Sequence, residues 1–284
     1  IYGGTGSTNL NEIHAAITVS GLNDIALAGV VLAILGMCFK IAAVPMHFYT
    51  PDVYQGASSG VAAFLAFVPK TAGFLGLMLL LAAVGWRFAP GEGPALDGAG
   101  GTGALLPYTG ASQLPEPVRV LLWVIAALTM TVGNVLALLQ SSAKRILAYS
   151  SIAHSGYMLV GLIVGPSRDG AAASSGLGAT LFYLLTYGVM NLGAFAVLAA
   201  LERPRKGDAD EGDEVDRVED LRGLCSTRPA LGWTMVICAM SLLGLPPLLG
   251  FFGKLPLFTS GISAGEISLV VVLGLNSAIA AFYY

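Results

Sequence analysis

Ala62-Ala63-Phe64-Leu65-Ala66-Phe67-Val68-Pro69-Lys70-Thr71-Ala72-Gly73-Phe74 decides the fold class. It lies inside an apolar run over 58–85 whose single charged residue is Lys70. A helix crosses a bilayer with about 20 largely apolar residues. At 1.5 Å per residue, Lys70 lies about 18 Å from Ser58, near the middle of a hydrocarbon core about 30 Å thick. The run therefore reads as a membrane helix with a lysine at its midplane.

The rest of the chain agrees with that reading. Of 284 residues, 55% are apolar and 11% are charged, and the mean hydropathy is +0.76. A soluble domain carries about 25% charged residues. Net charge is −3, which gives no basic field for nucleic acid. Soluble enzymes, disordered tails and nucleic-acid binders are excluded. Cys38, Cys225 and Cys238 form no spaced pair and read as small fillers rather than disulfides or metal ligands. No HExxH, CxxC or glycine fingerprint of a nucleotide site is present, and Gly253-Lys254-Leu255 fails the phosphate-loop spacing.

Seven stretches are expected to form an all-α, polytopic membrane helix bundle: about 23–48, 58–85, 118–140, 146–165, 173–201, 229–260 and 266–284. Residues 1–22 read as an extramembrane lead-in, so the transmembrane domain is 23–284. Residues 86–117 read as a Gly- and Pro-rich loop, and 202–228 as a solvated, highly charged one. The chain starts at Ile1 and stops at Tyr284 within an apolar run, and reads as a piece of a longer polypeptide. Lys144, Arg145 and the six bases of 202–228 place their side in the cytoplasm, with a relay role for Lys144 and Arg145 as the alternative.

Three lysines fall inside apolar runs. Lys70 is the first. Lys40 lies about 22 Å from Ile25, nearer the cytoplasmic end. Lys254 sits in a run of 32 residues, which as one helix would be about 48 Å long. Gly244-Leu245-Pro246-Pro247-Leu248-Leu249-Gly250 must break it, because two prolines remove two backbone donors. Pro45, five residues after Lys40, is a weaker parallel. Broken helices at matching positions of two halves point to a transport site. An intramembrane lysine costs at least about 2.5–3.5 kcal/mol and is read first as functional; the alternative is snorkelling or one static ion pair. Desolvation allows such a group to hold and release a proton. His154, among hydroxyl-bearing residues of 148–157, reads equally as a proton relay and as a packing histidine. Asn134 and Asn191 read as interhelical glue. His47, Asp52 and Gln55 read as a polar helix end.

Phe39-Lys40-Ile41-Ala42-Ala43-Val44-Pro45-Met46-His47-Phe48-Tyr49 continues into Thr50-Pro51-Asp52-Val53-Tyr54-Gln55-Gly56-Ala57. Together they resemble the signature of the antiporter-like subunit family of proton-pumping NADH–quinone oxidoreductase, respiratory complex I, in its subunit N branch. Gly133-Asn134 with Lys144 through Tyr157, and Ser241 through Pro247 with Gly250 through Lys254, agree. The resemblance covers essentially the whole chain, and Lys254 favours subunit N because a close paralogue carries glutamate there.

The resemblance implies about fourteen helices with two inverted five-helix repeats, of which this chain starts after the sixth and ends in the thirteenth. It matches Lys40, Lys70 and Lys254 to the lysines of the seventh, eighth and twelfth helices, and His154 to a polar residue of the tenth. It implies proton translocation along a lysine, histidine and water axis, driven by quinone reduction elsewhere. It places no cofactor in this chain; NADH, FMN, iron–sulfur clusters and quinone belong to partner subunits. The implied setting is a bacterial inner membrane or an equivalent energy-coupling membrane, among other membrane subunits. The glutamate expected to partner Lys40 falls before Ile1. The alternatives are a subunit of a multi-subunit Na⁺/H⁺ antiporter and a structural spacer.

Overall fold

The structure, a computed structural model, describes residues 1–86, 114–167, 175–202 and 217–284. Most of the Gly-rich loop expected over 86–117, Arg168, and the acidic stretch of 203–216 lie outside the described residues. Short α1 (Tyr2–Thr5) and α2 (Leu10–Ser20) precede α3 (Asp24–Ile41), α4 (Thr50–Gly56) and α5 (Ser59–Val84). Then come α6 (Glu116–Leu138), α7 (Ala143–Val164) and α8 (Gly176–Leu201). A 3-10 turn and α9 (Leu224–Thr227) lead to α10 (Pro229–Leu243), α11 (Leu249–Ser263) and α12 (Ile267–Ala280). The described residues form an all-helical bundle.

Among the described residues, five helices (α3, α5, α6, α7 and α8) are long and apolar enough to cross a membrane. Their starts are set by the residues before them. Asn23 accepts from the Ala26 N–H, Ser142 from that of Arg145, and Ser175 from that of Gly178. α7 is the centre of the bundle: 89% of its most apolar window is buried, against 28% for α3. The outer faces of the other helices remain apolar, as Leu79, Leu128 and Leu185 illustrate. In water such faces would be a liability, but lipid tails are their natural partner.

α7 and α8 cross on glycine. A Cβ on Gly161 would lie 2.5 Å from the Gly176 carbonyl oxygen, and one on Gly176 would lie 2.3 Å from that of Gly161. Small residues on both helices allow the backbones to meet, which is how helices associate where lipid removes the hydrophobic drive.

The stretch 229–260 is broken into α10 and α11, as its prolines require, whereas the stretch expected over 23–48 ends as a helix at Ile41, and α4 follows only from Thr50. α3 stops at Ile41 with Ala42 left-handed at φ 58, and α10 stops at Leu243 with Gly244 left-handed at φ 93. Both ends close in the same way. Ala43 N–H reaches the Cys38 carbonyl and Ala42 N–H that of Phe39; Leu245 N–H reaches Met240 and Gly244 N–H reaches Ser241. This is the Schellman pattern. A cis X-Pro bond follows each, Val44-Pro45 and Pro246-Pro247. Pro45 thus accompanies a full break, more than its single ring suggests from sequence. α7 begins at Ala143, so Lys144 and Arg145 stand in its first turn rather than in a loop.

Candidate functional site

Breaking a helix frees backbone groups that need partners where water is scarce. Side chains of the central helices supply them at the first break. Thr129 Oγ1 on α6 accepts from Val44 N–H at 3.0 Å, and Ser155 on α7 donates to the Ile41 carbonyl at 2.9 Å. At the second break, Ser241 Oγ accepts from Gly250 N–H at 3.0 Å. Lys254 Nζ donates to the Leu243 carbonyl at 2.8 Å.

The breaks flank a buried polar line. Lys70, buried on α5, donates its ammonium to both the carbonyl and the hydroxyl of Ser151 on α7. Its Nζ also lies 5.8 Å from the centre of the Tyr187 ring on α8. The Tyr187 ring is 5.1 Å from that of His154, between centroids. His154 Nδ1 pairs with Tyr183 Oη at 2.6 Å and Nε2 with Tyr284 Oη at 3.2 Å. Either partner can donate in these two bonds, depending on the imidazole tautomer. Tyr157 meets His154 edge-on at 5.3 Å, and Lys254 Nζ stands 5.0 Å from the Tyr157 ring centre. Cations over tyrosine faces are attracted by the ring quadrupole. Asn134 Nδ2 donates to Tyr157 Oη at 3.0 Å, and Tyr283 donates to Asn134 Oδ1 at 2.8 Å.

Lys70, His154 and Lys254 therefore share one buried line. Lys40 does not: it is exposed at the end of α3. A cavity of about 70 Å³ connects it to the line, walled by Lys40, Ala42, Tyr49, Thr50, Tyr54 and Lys70. One water needs about 10–15 Å³ of such space, so the cavity can hold water. The buried Thr50 Oγ1 on its wall makes no hydrogen bond among the described residues, so the cavity carries an unused polar group.

Asn134 ties α6 to α7 and α12 through Tyr157 and Asn276, as interhelical glue should. Asn191 is buried, yet its Nδ2 has no partner among the described residues.

Two parts of the site escape sequence reasoning. The first is the tyrosine pair Tyr183 and Tyr187, whose spacing of one helical turn in an apolar run is the signal that could have found it. The second is Lys144. Its side chain is 1% exposed and pairs with Glu202 Oε1 at 2.8 Å, so it is no snorkelling anchor. Arg145 does face outward, to Asp52 Oδ1 at 2.7 Å and Gln55 Oε1 at 3.0 Å. Among the described residues no group of three or more histidines, cysteines and acids could hold a metal ion.

A fold of long apolar helices with two broken ones, wrapped around buried lysines, is that of an antiporter-like membrane subunit. The family model for "NADH:quinone oxidoreductase/Mrp antiporter, TM" matches residues 1–89 and 105–280, and the chain belongs to that family. It is a multi-pass integral membrane protein. The NADH-quinone oxidoreductase subunit N of Bdellovibrio bacteriovorus is 39% identical over 100% of this chain and 51% of its own length. That of Trichlorobacter lovleyi is 40% identical over 100% and 50%. The chain thus spans about half the length of the curated relatives it matches. A chain of respiratory complex I from Thermus thermophilus, solved with bound aureothin, superposes with a TM-score of 0.71 at 34% identity, over 100% of this chain and 52% of that one. A chain of the Mrp complex from Dietzia sp. shares the fold, with a TM-score of 0.74 at 23% identity over 98% and 44%.

Proposed function

We propose that this chain is the core of a proton-translocating membrane subunit of a complex I-like NADH–quinone oxidoreductase. It performs no redox step; quinone reduction in partner subunits drives it, and those subunits carry the NADH, flavin, iron–sulfur and quinone sites. The observation that carries the reading is the buried succession of Lys70, Ser151, Tyr187, His154, Tyr157 and Lys254, linked by the Lys70–Ser151 hydrogen bonds and by ring contacts of 5.0 to 5.8 Å. Subunit N relatives at 39–40% identity support the assignment to this assembly.

In this reading Lys40 takes a proton from the cytoplasmic side and passes it through water in the cavity to Lys70. Lys70 releases it through water to the Tyr183 hydroxyl, which passes its own proton to His154 Nδ1. The imidazole accepts on one nitrogen and releases from the other, as histidine can near neutral pH. Lys254 receives the proton and releases it outward. Each transfer leaves the donor neutral and the acceptor charged, so one positive charge moves along the line. α10 with α11 and α12 supply two further crossings, for seven in all. The shared Schellman turn, with a proline three residues after each left-handed residue, supports two inverted repeats. Residues 1–22 precede the transmembrane domain, 23–284.

The test is quinone-dependent proton uptake in membrane vesicles, wild type against Lys70→Ala. Electron transfer to an acceptor that bypasses quinone controls for assembly. Pumping falls while the control holds; unchanged pumping overturns the reading. The family description also names Mrp antiporters. Sodium-dependent proton exchange without quinone turnover would favour that second reading.

A further inference from the structure

Lys144 is a fully buried charge that the proton line does not use. Its ammonium meets Glu202 Oε1 at 2.8 Å and the Ala57 carbonyl at 3.3 Å. Glu202, just past the end of α8, accepts in turn from Ser59 N–H at 3.0 Å and from the Ser59 hydroxyl. Ser59 opens α5, and the preceding Ser58 makes no side-chain cap. The carboxylate therefore caps α5 from another helix, where the positive end of the helix dipole favours an anion. One ammonium thus gathers the end of α4, the start of α5, the start of α7 and the end of α8.

The placement has a second rung. Ser59 and Lys70 are eleven residues apart on α5, and Lys144 and Ser151 are seven apart on α7. At 100° per residue both spacings return to nearly the same helix face. From that shared end of the bundle, Lys70 lies about 16.5 Å along α5 and Ser151 about 10.5 Å beyond Lys144 along α7. The length of the lysine side chain spans most of the difference. The two helices are joined at Ser59–Glu202–Lys144 and again at Lys70–Ser151. Elsewhere α5 packs mainly on α3 and α8. Direct α5–α7 contact is sparse, so these two polar rungs are where the two helices meet through named side chains, with α8 packed on both.

We propose that Lys144 and Glu202 form a register clasp that positions Lys70 against Ser151, making them positioning residues for proton transfer by a lysine they do not touch. This rests on the proton-translocation reading. Neither residue has to exchange a proton. What matters is that opposite charges meet, so the clasp tolerates reversal of the pair.

The experiment uses the full-length protein in its assembled complex, in sealed vesicles. It reads protons taken up per quinone reduced, the amount of assembled complex, and electron transfer to a quinone-independent acceptor. Lys144→Met and Glu202→Gln lower the proton ratio about twofold or more, while assembly and the acceptor activity hold. Lys144→Arg keeps the ratio, and the reversed pair Lys144→Glu with Glu202→Lys recovers it, as a cycle on a direct pair requires. A ratio unchanged in both single variants overturns the proposal. So does a ratio that falls in the singles and is not recovered by the reversed pair. Should the singles fail to assemble, Ser59→Ala, which removes one hydroxyl of the clasp, still lowers the ratio; an unchanged ratio there overturns the proposal. Lys70→Ala run in parallel separates the two claims. If it lowers the ratio and the clasp variants do not, the clasp fails alone. If it leaves the ratio unchanged, the translocation reading fails and the clasp falls with it.

Discussion

Lys254 closes the gap in its own broken helix, its Nζ donating to the carbonyl oxygen of Leu243 at 2.8 Å from eleven residues downstream. That carbonyl is one of those left without an amide partner where α10 stops. The negative end of a helix dipole favours a cation there. The charge on Lys254 and the shape of the break are therefore one arrangement.

Lys254→Met leaves a half-buried carbonyl unpaired, at a cost of up to about 1–3 kcal/mol. The assembled complex loses thermal stability and proton uptake together. Lys254→Arg keeps a charged donor and recovers the stability. Thermal unfolding of the detergent-solubilised complex, read beside vesicle pumping, checks both. A methionine variant of unchanged stability would mean that the carbonyl finds another partner.

His154 has two jobs that substitutions can separate. His154→Leu keeps bulk and removes both ring nitrogens, so pumping falls sharply while assembly holds. Tyr183→Phe removes the hydroxyl 2.6 Å from Nδ1 but leaves the stacked ring, so pumping falls less. A histidine that only packs would leave pumping intact in both variants. Proton uptake per electron is the measurement.

The membrane class, the break at Pro246-Pro247 and the buried lysines Lys70 and Lys254 were legible because each stands out locally against apolar sequence. Pro246-Pro247 forces an interruption wherever it sits. Lys70 is conspicuous because it is alone. Lys144 shows the limit: beside Arg145 at a helix end it has the pattern of a surface anchor. Its burial follows from Glu202, 58 residues away, which no local periodicity reveals. Lys40 shows the same limit from the other side. Its depth along α3 was readable, but not that it faces outward and meets Lys70 only through a cavity.

Gly161 is expected to tolerate no side chain. A Cβ there would lie 2.2 Å from Thr180 Oγ1 and 2.5 Å from the Gly176 carbonyl. The carbonyl is backbone and cannot rotate away, so Gly161→Val must push α7 from α8, at about 1–3 kcal/mol for overpacking. The same displacement shifts His154 against Tyr183. Lower thermal stability with lower pumping is the expected outcome, measured on the purified complex. Gly36, with open space at its Cβ position, is the matched control, and Gly36→Ala leaves both unchanged.

The clasp also sets a pH dependence. Burial pushes the Glu202 carboxyl up, but the Lys144 ammonium and the hydroxyl and N–H of Ser59 outweigh it and hold the group below its ordinary value. A carboxyl depressed by folding stabilises the folded state while ionised. That contribution is complete above the ordinary glutamate range. It declines as pH falls through that range and is gone below the depressed value, because folded and unfolded states then bind the same proton. Wild type and Glu202→Gln, unfolded thermally across a pH series, therefore differ by a constant amount at neutral and mildly acidic pH. The difference shrinks only as pH drops through the carboxylate range. A difference already lost above that range would mean that Lys144 and Ser59 do not hold the carboxylate.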